Sequence, residues 1–276
     1  MAERYERGED ISDEELSPLF NYGSSMGGAH PKVTISDGKR HYLAKFNSIK
    51  DRYNTVLLEA TCLSLAKDCG LDVPYFYVET LAGNKQALMI ERFDITQYGR
   101  NHVVSFKTLL DKDRYSHFYY SDLAETLGAV TYKNADLRSL FTQMVFNAAI
   151  GNKDDHENNF SVIRNEQGYC LSPVYDIVPN IEGAIEHKIF FQYSALSPRR
   201  NELISIAPSF RLTHGDAAMI INNVVQCVKA GWLKRCKEYR VDDNEAIHFS
   251  KDIERNLSKL AGADVVCGQS CDSLTF

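Results

Sequence analysis

Apolar and polar residues alternate through much of the first third of the chain, and a period of two is typical of β-strands. Four segments with this character pair into two predicted hairpins, at residues 33–35 with 42–46 and 75–81 with 86–93. Asp37-Gly38 and Gly83-Asn84 supply the turn residues, and Lys45 falls on the second strand. Between the hairpins, residues 54–68 have helical spacing, which Gly70 ends.

Beyond residue 94 the apolar spacing becomes mainly helical. Helices are predicted over residues 121–133, 136–149, 215–229 and 243–260. Asp136 is the predicted N-cap of the second helix, and a short hairpin at residues 160–171 interrupts the helical pattern. This order predicts an α+β fold of two lobes. Its parts are a frayed start at 1–14, a β-rich N-lobe at 15–94, a helical C-lobe at 95–262 and a tail at 263–276.

Composition narrows the class of protein without defining its function. The 276 residues are 44% apolar and 25% charged, as in an ordinary globular protein. The net charge of −6 argues against direct nucleic-acid binding by the whole surface and against attraction to anionic membranes. Neither a signal peptide nor an apolar run long enough to span a bilayer is found, and seven cysteines without a CxxC pair favour reduced thiols. We therefore expect a cytoplasmic protein.

The strongest chemical signal is a polar segment at residues 152–159, Asn-Lys-Asp-Asp-His-Glu-Asn-Asn, between apolar neighbours. Protein kinases need a carboxylate that accepts the substrate proton, an amide oxygen five residues later for Mg²⁺, and a second carboxylate after a short strand pair. Asp154, Asn159 and Asp176 have this spacing. A capping turn rich in Asp and Asn explains the segment alone about as well, and His156 is open to a role as metal ligand or packed histidine.

Four upstream features have the order that a kinase requires. Small residues at 23–32 form a glycine loop, Lys45 follows it on a strand, and Glu59 on the next helix is placed to pair with that lysine. The strand ending in Glu91-Arg92-Phe93 has the position of a hinge that contacts adenine. Taken alone, Lys45 and Glu59 are better explained as solvated surface charges and the strand end as ordinary packing, and a tight turn explains the loop nearly as well.

Together these residues resemble the HipA family of bacterial toxin-type serine/threonine kinases. The resemblance is carried by four segments, Ser25-Met26-Gly27-Gly28-Ala29-His30-Pro31-Lys32, Ile90-Glu91-Arg92-Phe93-Asp94, residues 152–161 and Pro173-Val174-Tyr175-Asp176. Because the loop begins as early as Gly23, the chain is similar to short members of the family, in which the N-terminal subdomain is absent or is a separate protein.

The resemblance implies an ATP- and Mg²⁺-dependent kinase with defined residue roles. Asp154 is the implied catalytic base, Asn159 and Asp176 are the implied Mg²⁺ ligands, and Lys45 contacts the phosphates. Further nucleotide contacts are implied for Gly27, Gly28, Ala29, His30, Lys32, Glu91, Arg92, Phe93, His156 and Tyr175.

The resemblance also implies regulation and partners. Ser25, or its neighbour Ser24, matches a loop serine that family members autophosphorylate, and a phosphate there would repel ATP's own phosphates. The implied partners are a HipB-like DNA-binding antitoxin, a separate N-subdomain-like protein, and a protein substrate such as an aminoacyl-tRNA synthetase or another translation factor. Two other functions fit the residues: a catalytically silent nucleotide-binding regulator, or a metal-dependent phosphoesterase that depends on His156.

Overall fold

The computed structural model describes residues 31–81, 85–111 and 116–262. Its largest sheet has four antiparallel strands in the order β1-β2-β4-β3. These strands are β1 (Lys32–Ser36), β2 (His41–Phe46), β3 (Phe76–Thr80) and β4 (Gln86–Glu91). Both predicted hairpins are confirmed, although the second turn, at Gly83-Asn84, lies outside the described residues.

The first hairpin is closed by local chemistry. Asp37 Oδ1 accepts hydrogen bonds from the N–H groups of Lys39 and Arg40 at 2.8 and 2.7 Å, an Asx turn. Gly38 takes a φ of 87°, a conformation that residues with a Cβ rarely adopt. The resulting register pairs Lys45 with Lys32, so the site lysine lies beside the start of β1.

Helix α1 (Thr55–Asp68) packs between this sheet and the helical part of the chain. Asn54 caps it by accepting a hydrogen bond from the N–H of Leu57 at 3.1 Å. Every residue from Thr55 to Ala66 is buried, because both sides of the helix are covered. This explains why a carboxylate in the middle of it, Glu59, is also buried.

The helical part has two long helices packed on a buried one. Helices α2 to α7 are α2 (Phe106–Leu110), α3 (Tyr120–Val130), α4 (Ala135–Ile150), α5 (Arg200–Ile206), α6 (His214–Glu238) and α7 (Asp243–Ala261). α6 packs on α1, α4 and α7, and α4 is buried along most of its length. The four predicted helices are confirmed with shifted ends, whereas α2 and α5 were not predicted.

The predicted N-cap of α4 is wrong. Asn134 occupies the cap position, and Asp136 lies in the first turn. The Asp136 carboxylate instead accepts hydrogen bonds from Thr131 Oγ1 at 2.5 Å and from the N–H of Leu171 at 2.7 Å. Asp136 therefore binds Thr131 before the helix and Leu171 instead of capping α4. The contact with Leu171 is tertiary and cannot be predicted from the local sequence.

A three-stranded sheet, in the order β10-β9-β7, borders the polar segment within the helical part. The smaller strands are β5 (Ile95–Thr96), β6 (Gly99–Arg100), β7 (Val103–Ser105), β8 (Phe118–Tyr119), β9 (Ser161–Asn165), β10 (Gly168–Leu171) and β11 (Ile189–Phe190). The predicted hairpin at 160–171 is β9 and β10. β8 and β11 pair in parallel.

One large hydrophobic cluster runs from α1 into the helices, and a smaller one, around Tyr42 and Met89, covers the other face of the four-stranded sheet. Because the large cluster is continuous, the lobe boundary near residue 94 stays a prediction. Across the residues that the structure describes, none of the helices combines the length and the apolar character needed to cross a membrane.

Candidate active site

The site is organised around Lys45. Its Nζ donates to both carboxylate oxygens of Glu59, at 2.7 and 3.0 Å, and to Asp176 Oδ1 at 2.8 Å. Lys45 and Glu59 are 8% and 5% exposed, so this ion pair is shielded from water. The structure thus brings together a strand lysine, a helix glutamate and an acid 131 residues further along the chain.

Lys45 and Asp176 stabilise each other's charged forms. Burial alone lowers the pKa of Lys45, but the carboxylates of Glu59 and Asp176 outweigh it and hold the pKa above its usual range. The Lys45 ammonium in turn lowers the pKa of Asp176 to about 2. Lys45 is therefore a cation and Asp176 an anion at neutral pH, the states needed to bind phosphate and a divalent metal.

Asp176 has a left-handed backbone, with a φ of 58°. Residues with a side chain rarely adopt this conformation, and such residues concentrate at functional sites. Its neighbour is fixed in place: the Tyr175 hydroxyl bonds to Ser161 Oγ and donates to the carbonyl of Asn158 at 2.9 Å. The turn that presents the Asp176 carboxylate is therefore tied to the polar segment.

The polar segment begins where α4 ends. Gly151 terminates α4 with a φ of 71°, and a short 3-10 turn, Glu157–Asn159, follows. Asn159 Nδ2 donates to the carbonyl oxygen of Asp154 at 2.9 Å, which stabilises the loop between them. Because the NH₂ end is used in this bond, the amide oxygen is the end that can bind a cation.

Asp154 lies on this loop with a half-exposed side chain. Partial burial raises the pKa of its carboxyl group, and His156, whose Nε2 lies 3.9 Å from Asp154 Oδ2, opposes that shift. A carboxylate with a raised pKa is a better proton acceptor than an ordinary one. His156 Nδ1 also accepts the N–H of Asn158 at 3.3 Å, a capping role within the loop.

A cavity of about 280 Å³ joins these groups. The predicted site residues that line it are Lys32, Lys45, Glu59, Asp154, His156 and Asp176. Asn159 is not among the lining residues, although its amide holds the loop that carries Asp154. Gly27, Gly28, Ala29, His30, Ser24 and Ser25 lie outside the described residues, so their predicted roles stay predictions.

The predicted hinge lies at the end of β4 and outside the cavity lining. The N–H groups of Glu91 and Arg92 donate to the carbonyls of Tyr75 and His41, each at 2.8 Å, so sheet pairing already uses both donors. The Arg92 guanidinium is held by Asp94, at 3.0 and 2.6 Å. Phe93 stacks on Tyr175 with ring centroids 6.0 Å apart. Phe93 and Tyr175 thus form an aromatic pair that links the predicted hinge to the segment that carries Asp176.

Sequence reasoning missed three residues near the cavity. Asp155, beside Asp154, is buried and accepts three hydrogen bonds. Lys153 lines the cavity and donates to Ser197 Oγ at 2.7 Å, and burial lowers its pKa to about 8. Lys188 also lines the cavity. The density of charges in residues 152–159 was a signal for the first two, whereas nothing in the local sequence indicated Lys188.

The residues fit a magnesium ion of the type that nucleotides bring with them. Within 31–81, 85–111 and 116–262, no three His, Cys, Asp or Glu side chains gather into a metal-binding group. Mg²⁺ in phosphotransferases takes only one or two protein carboxylates or amides, because phosphate oxygens and water complete its octahedron. The ionised Asp176 and the amide oxygen of Asn159 have the chemistry for that smaller requirement, although Asp176 alone of the two lines the cavity.

The fold places the chain in a class. It superposes on HipA from the Shewanella oneidensis MR-1 complex of HipA, HipB and operator DNA with a TM-score of 0.66, at 18% identity, covering 91% of this chain and 71% of that one. It superposes on the Helicobacter pylori proinflammatory kinase CtkA with a TM-score of 0.50, at 14% identity, covering 79% and 95%. The fold is therefore an α+β, protein-kinase-like fold.

The family follows from the sequence. The model of the HipA-like C-terminal domain matches residues 24–232, and the chain belongs to this family. Relatives include "Putative kinase Y4dM" of Sinorhizobium fredii, 28% identical over 63% of this chain and 47% of the relative. "Toxin YjjJ" of Escherichia coli is 27% identical over 58% of this chain and 39% of the relative. The chain thus spans about half the length, or less, of these curated relatives.

Proposed function

We propose that this chain is an ATP- and Mg²⁺-dependent protein serine/threonine kinase. The observation that carries the proposal is the convergence of Lys45, Glu59, Asp176 and Asp154 on one cavity. A buried lysine fixed by a glutamate is a phosphate-binding cation in kinases, and the two aspartates have the separate roles of base and metal ligand. A catalytically silent nucleotide-binding protein needs no base, yet Asp154 is present with a raised pKa.

The geometry supports a direct transfer. Asp154 accepts the proton of a serine or threonine hydroxyl as that oxygen bonds to the γ-phosphorus of ATP. The bond from this phosphorus to the β,γ-bridging oxygen breaks, and ADP leaves. Lys45 holds the phosphates, while Glu59 and Asp176 hold Lys45. Bound Mg²⁺ would neutralise phosphate charge, and Asp176 and Asn159 are the residues that would hold it.

Labelled ATP tests this proposal. The purified chain, incubated with ATP labelled at the γ-phosphate, Mg²⁺ and a bacterial lysate, should place acid-stable label on serine or threonine. Asp154→Asn should reduce the rate by about 10² to 10⁴, the usual contribution of a general base. The control is Asp243→Asn, a charge-matched change at an exposed residue in the first turn of α7. Label on neither amino acid, or equal label from Asp154→Asn, would refute the proposed activity.

The relatives motivate a biological role. "Toxin YjjJ" carries the word toxin in its name, and the HipA structure contains HipB and operator DNA. By extension, the present chain is proposed as the toxin component of a system with a HipB-like antitoxin and, for a short-form toxin, a separate N-subdomain-like protein. An aminoacyl-tRNA synthetase or another translation factor is the proposed class of substrate.

Autophosphorylation at Ser25, or at its neighbour Ser24, is proposed as the off-switch. A phosphoserine in this loop would add close to two negative charges, which would compete with ATP's own phosphates for the same site. Mass spectrometry of the chain after incubation with ATP should find phosphate on the peptide that contains Ser25, with a loss of kinase activity that Ser24→Ala/Ser25→Ala prevents. Phosphate found only on other peptides would exclude this switch.

A further inference from the structure

Asp155 is a buried acid that the proposed reaction does not use. Its side chain has no exposed surface, and it accepts hydrogen bonds from the Tyr120 hydroxyl at 2.7 Å, from His187 Nδ1 at 3.0 Å and from the N–H of Lys188 at 2.9 Å. Burying a carboxylate is costly unless donors surround it, and here three donors do. Two of these donors belong to His187 and Lys188, which lie 32 and 33 positions further along the chain. Asp155 therefore joins the loop of Asp154 to the segment that contains His187 and Lys188.

That distant segment presents Lys188 to the cavity. His187 and Ile189 on either side of it are buried, Ile189 within the two-stranded sheet with β8, whereas Lys188 is exposed. Alternation along an extended backbone turns the middle side chain away from its buried neighbours. Lys188 lines the same cavity as Asp154, so both side chains border the same space.

Among the residues that the structure describes, Lys188 lines the cavity without a carboxylate partner, as does Lys32, which lies beside Lys45 on the four-stranded sheet. Lys45 is held by two carboxylates, and Lys153 donates to Ser197. Over the described part of the chain, no carboxylate lies within ion-pair distance of Lys188. A cation whose backbone is anchored to Asp155, without an anionic partner and in the same cavity as the proposed base, is placed to bind an anion at the reacting end of the nucleotide.

We propose that Lys188 binds the γ-phosphoryl group as it is transferred and that Asp155 is the residue that positions it. This inference rests on the proposed function and deepens it. As the γ-phosphoryl group moves from ADP to the hydroxyl, charge develops on its oxygens, and the Lys188 ammonium, which lines the same cavity as Asp154, stabilises that charge. Lys45 contacts the phosphates from strand β2 of the four-stranded sheet. In this proposal Lys45 holds the bound nucleotide, and Lys188 stabilises the group that is transferred.

Turnover and nucleotide binding test Lys188 separately. Lys188→Gln should lower the rate of phosphoryl transfer about 100-fold, the effect of removing one donor to developing charge, and Lys188→Arg should restore part of it. Binding of ATP should weaken, whereas binding of ADP, which lacks the γ-phosphate, should change less than about twofold. The matched control is Lys229→Gln, an exposed lysine of α6 that does not line this cavity.

Asp155 is tested through its dependence on Lys188. Asp155→Asn should lower the rate in the wild-type chain and have little further effect in Lys188→Gln, because a positioning residue acts through the group that it positions. Equal losses in both backgrounds would assign Asp155 a structural role only. If Asp155→Asn fails to fold, the Lys188 variants still decide the identity of the phosphate-binding cation.

The outcomes separate this inference from the proposed function. If wild type transfers phosphate and Lys188→Gln transfers it equally fast, Lys188 has no such role and the kinase proposal stands. If wild type binds ATP without transfer, selective loss of ATP over ADP binding in Lys188→Gln supports the γ-phosphate contact although the kinase proposal fails. Wild type that binds no ATP overturns both.

Discussion

Asp176 combines an unfavourable backbone with a favourable charge. Its left-handed φ of 58° is tolerated by Asp and Asn better than by other residues with a side chain. Its carboxylate is stabilised by Lys45, which lowers its pKa to about 2. Replacing Asp176 with Asn therefore keeps the conformation accessible and removes only the charge.

The contribution of this charge to stability should depend on pH. A carboxyl group whose pKa is lower in the folded chain, here about 2 against an ordinary 3.8, stabilises the fold above the ordinary value. That contribution is lost as pH falls from about 4 towards 2. The difference in unfolding free energy between wild type and Asp176→Asn should thus shrink over this range.

Urea unfolding at pH 6, 4 and 2.5 measures this difference. Asp243→Asn, at an exposed residue, gives the background of a surface charge change. A difference between wild type and Asp176→Asn that stays constant across these pH values would mean that Lys45 does not stabilise the ionised carboxylate.

At the scale of elements, helix α1 positions Lys45 through Glu59, and α6 packs against α1. The two helices are joined at the surface by Arg235, which donates to both Asp68 oxygens at 2.8 and 2.6 Å. They also meet at Gly231, where an added Cβ would lie 2.5 Å from Leu65 Cδ2. Leu65 is fully buried, so it has little room to move.

Gly231→Ala should therefore destabilise the fold despite the better helix propensity of alanine. Overpacking costs about 1–3 kcal/mol, and the gain in propensity is about 0.8–1 kcal/mol, so we expect a net loss on the order of 1 kcal/mol. Gly215→Ala in the same helix is the control, because its added Cβ would meet only Thr213 Oγ1 at 3.7 Å. Thermal unfolding should show a lower melting temperature for Gly231→Ala than for wild type and no decrease for Gly215→Ala. An unchanged melting temperature in Gly231→Ala would mean that the contact is looser than described.

The sequence predicts the features that depend on local residues and fails for those that depend on contacts between distant residues. Period and turn residues predicted all three hairpins and the long helices, because these signals are local. The spacing of Asp154 to Asp176, together with Lys45 and Glu59, predicted residues that the structure brings to one cavity. Asp136 was assigned a wrong role and Asp155 was missed, because each has a hydrogen-bond partner 35 residues away. The occupied donors of Glu91 and Arg92 likewise depend on strand pairing.

At the scale of the whole molecule, the cavity collects residues that are far apart along the chain. Lys45 comes from the four-stranded sheet, Glu59 from α1, Asp154 from the loop after α4, and Asp176 from the segment after β10. The shared hydrophobic cluster holds α1 against the helices, so these contributions have a fixed relation. This arrangement separates holding the nucleotide, assigned to Lys45 and Asp176, from accepting the proton, assigned to Asp154.

The most direct test of this account measures binding and transfer in the same preparation of Asp154→Asn. A single turnover of γ-labelled ATP with excess protein follows transfer, and titration with the same nucleotide and Mg²⁺ gives the dissociation constant. The account predicts a dissociation constant within a few-fold of wild type and a transfer rate lower by at least about 10², because only the proton acceptor is lost. Transfer at the wild-type rate, with label reaching serine or threonine, would contradict the assignment of Asp154 as the catalytic base.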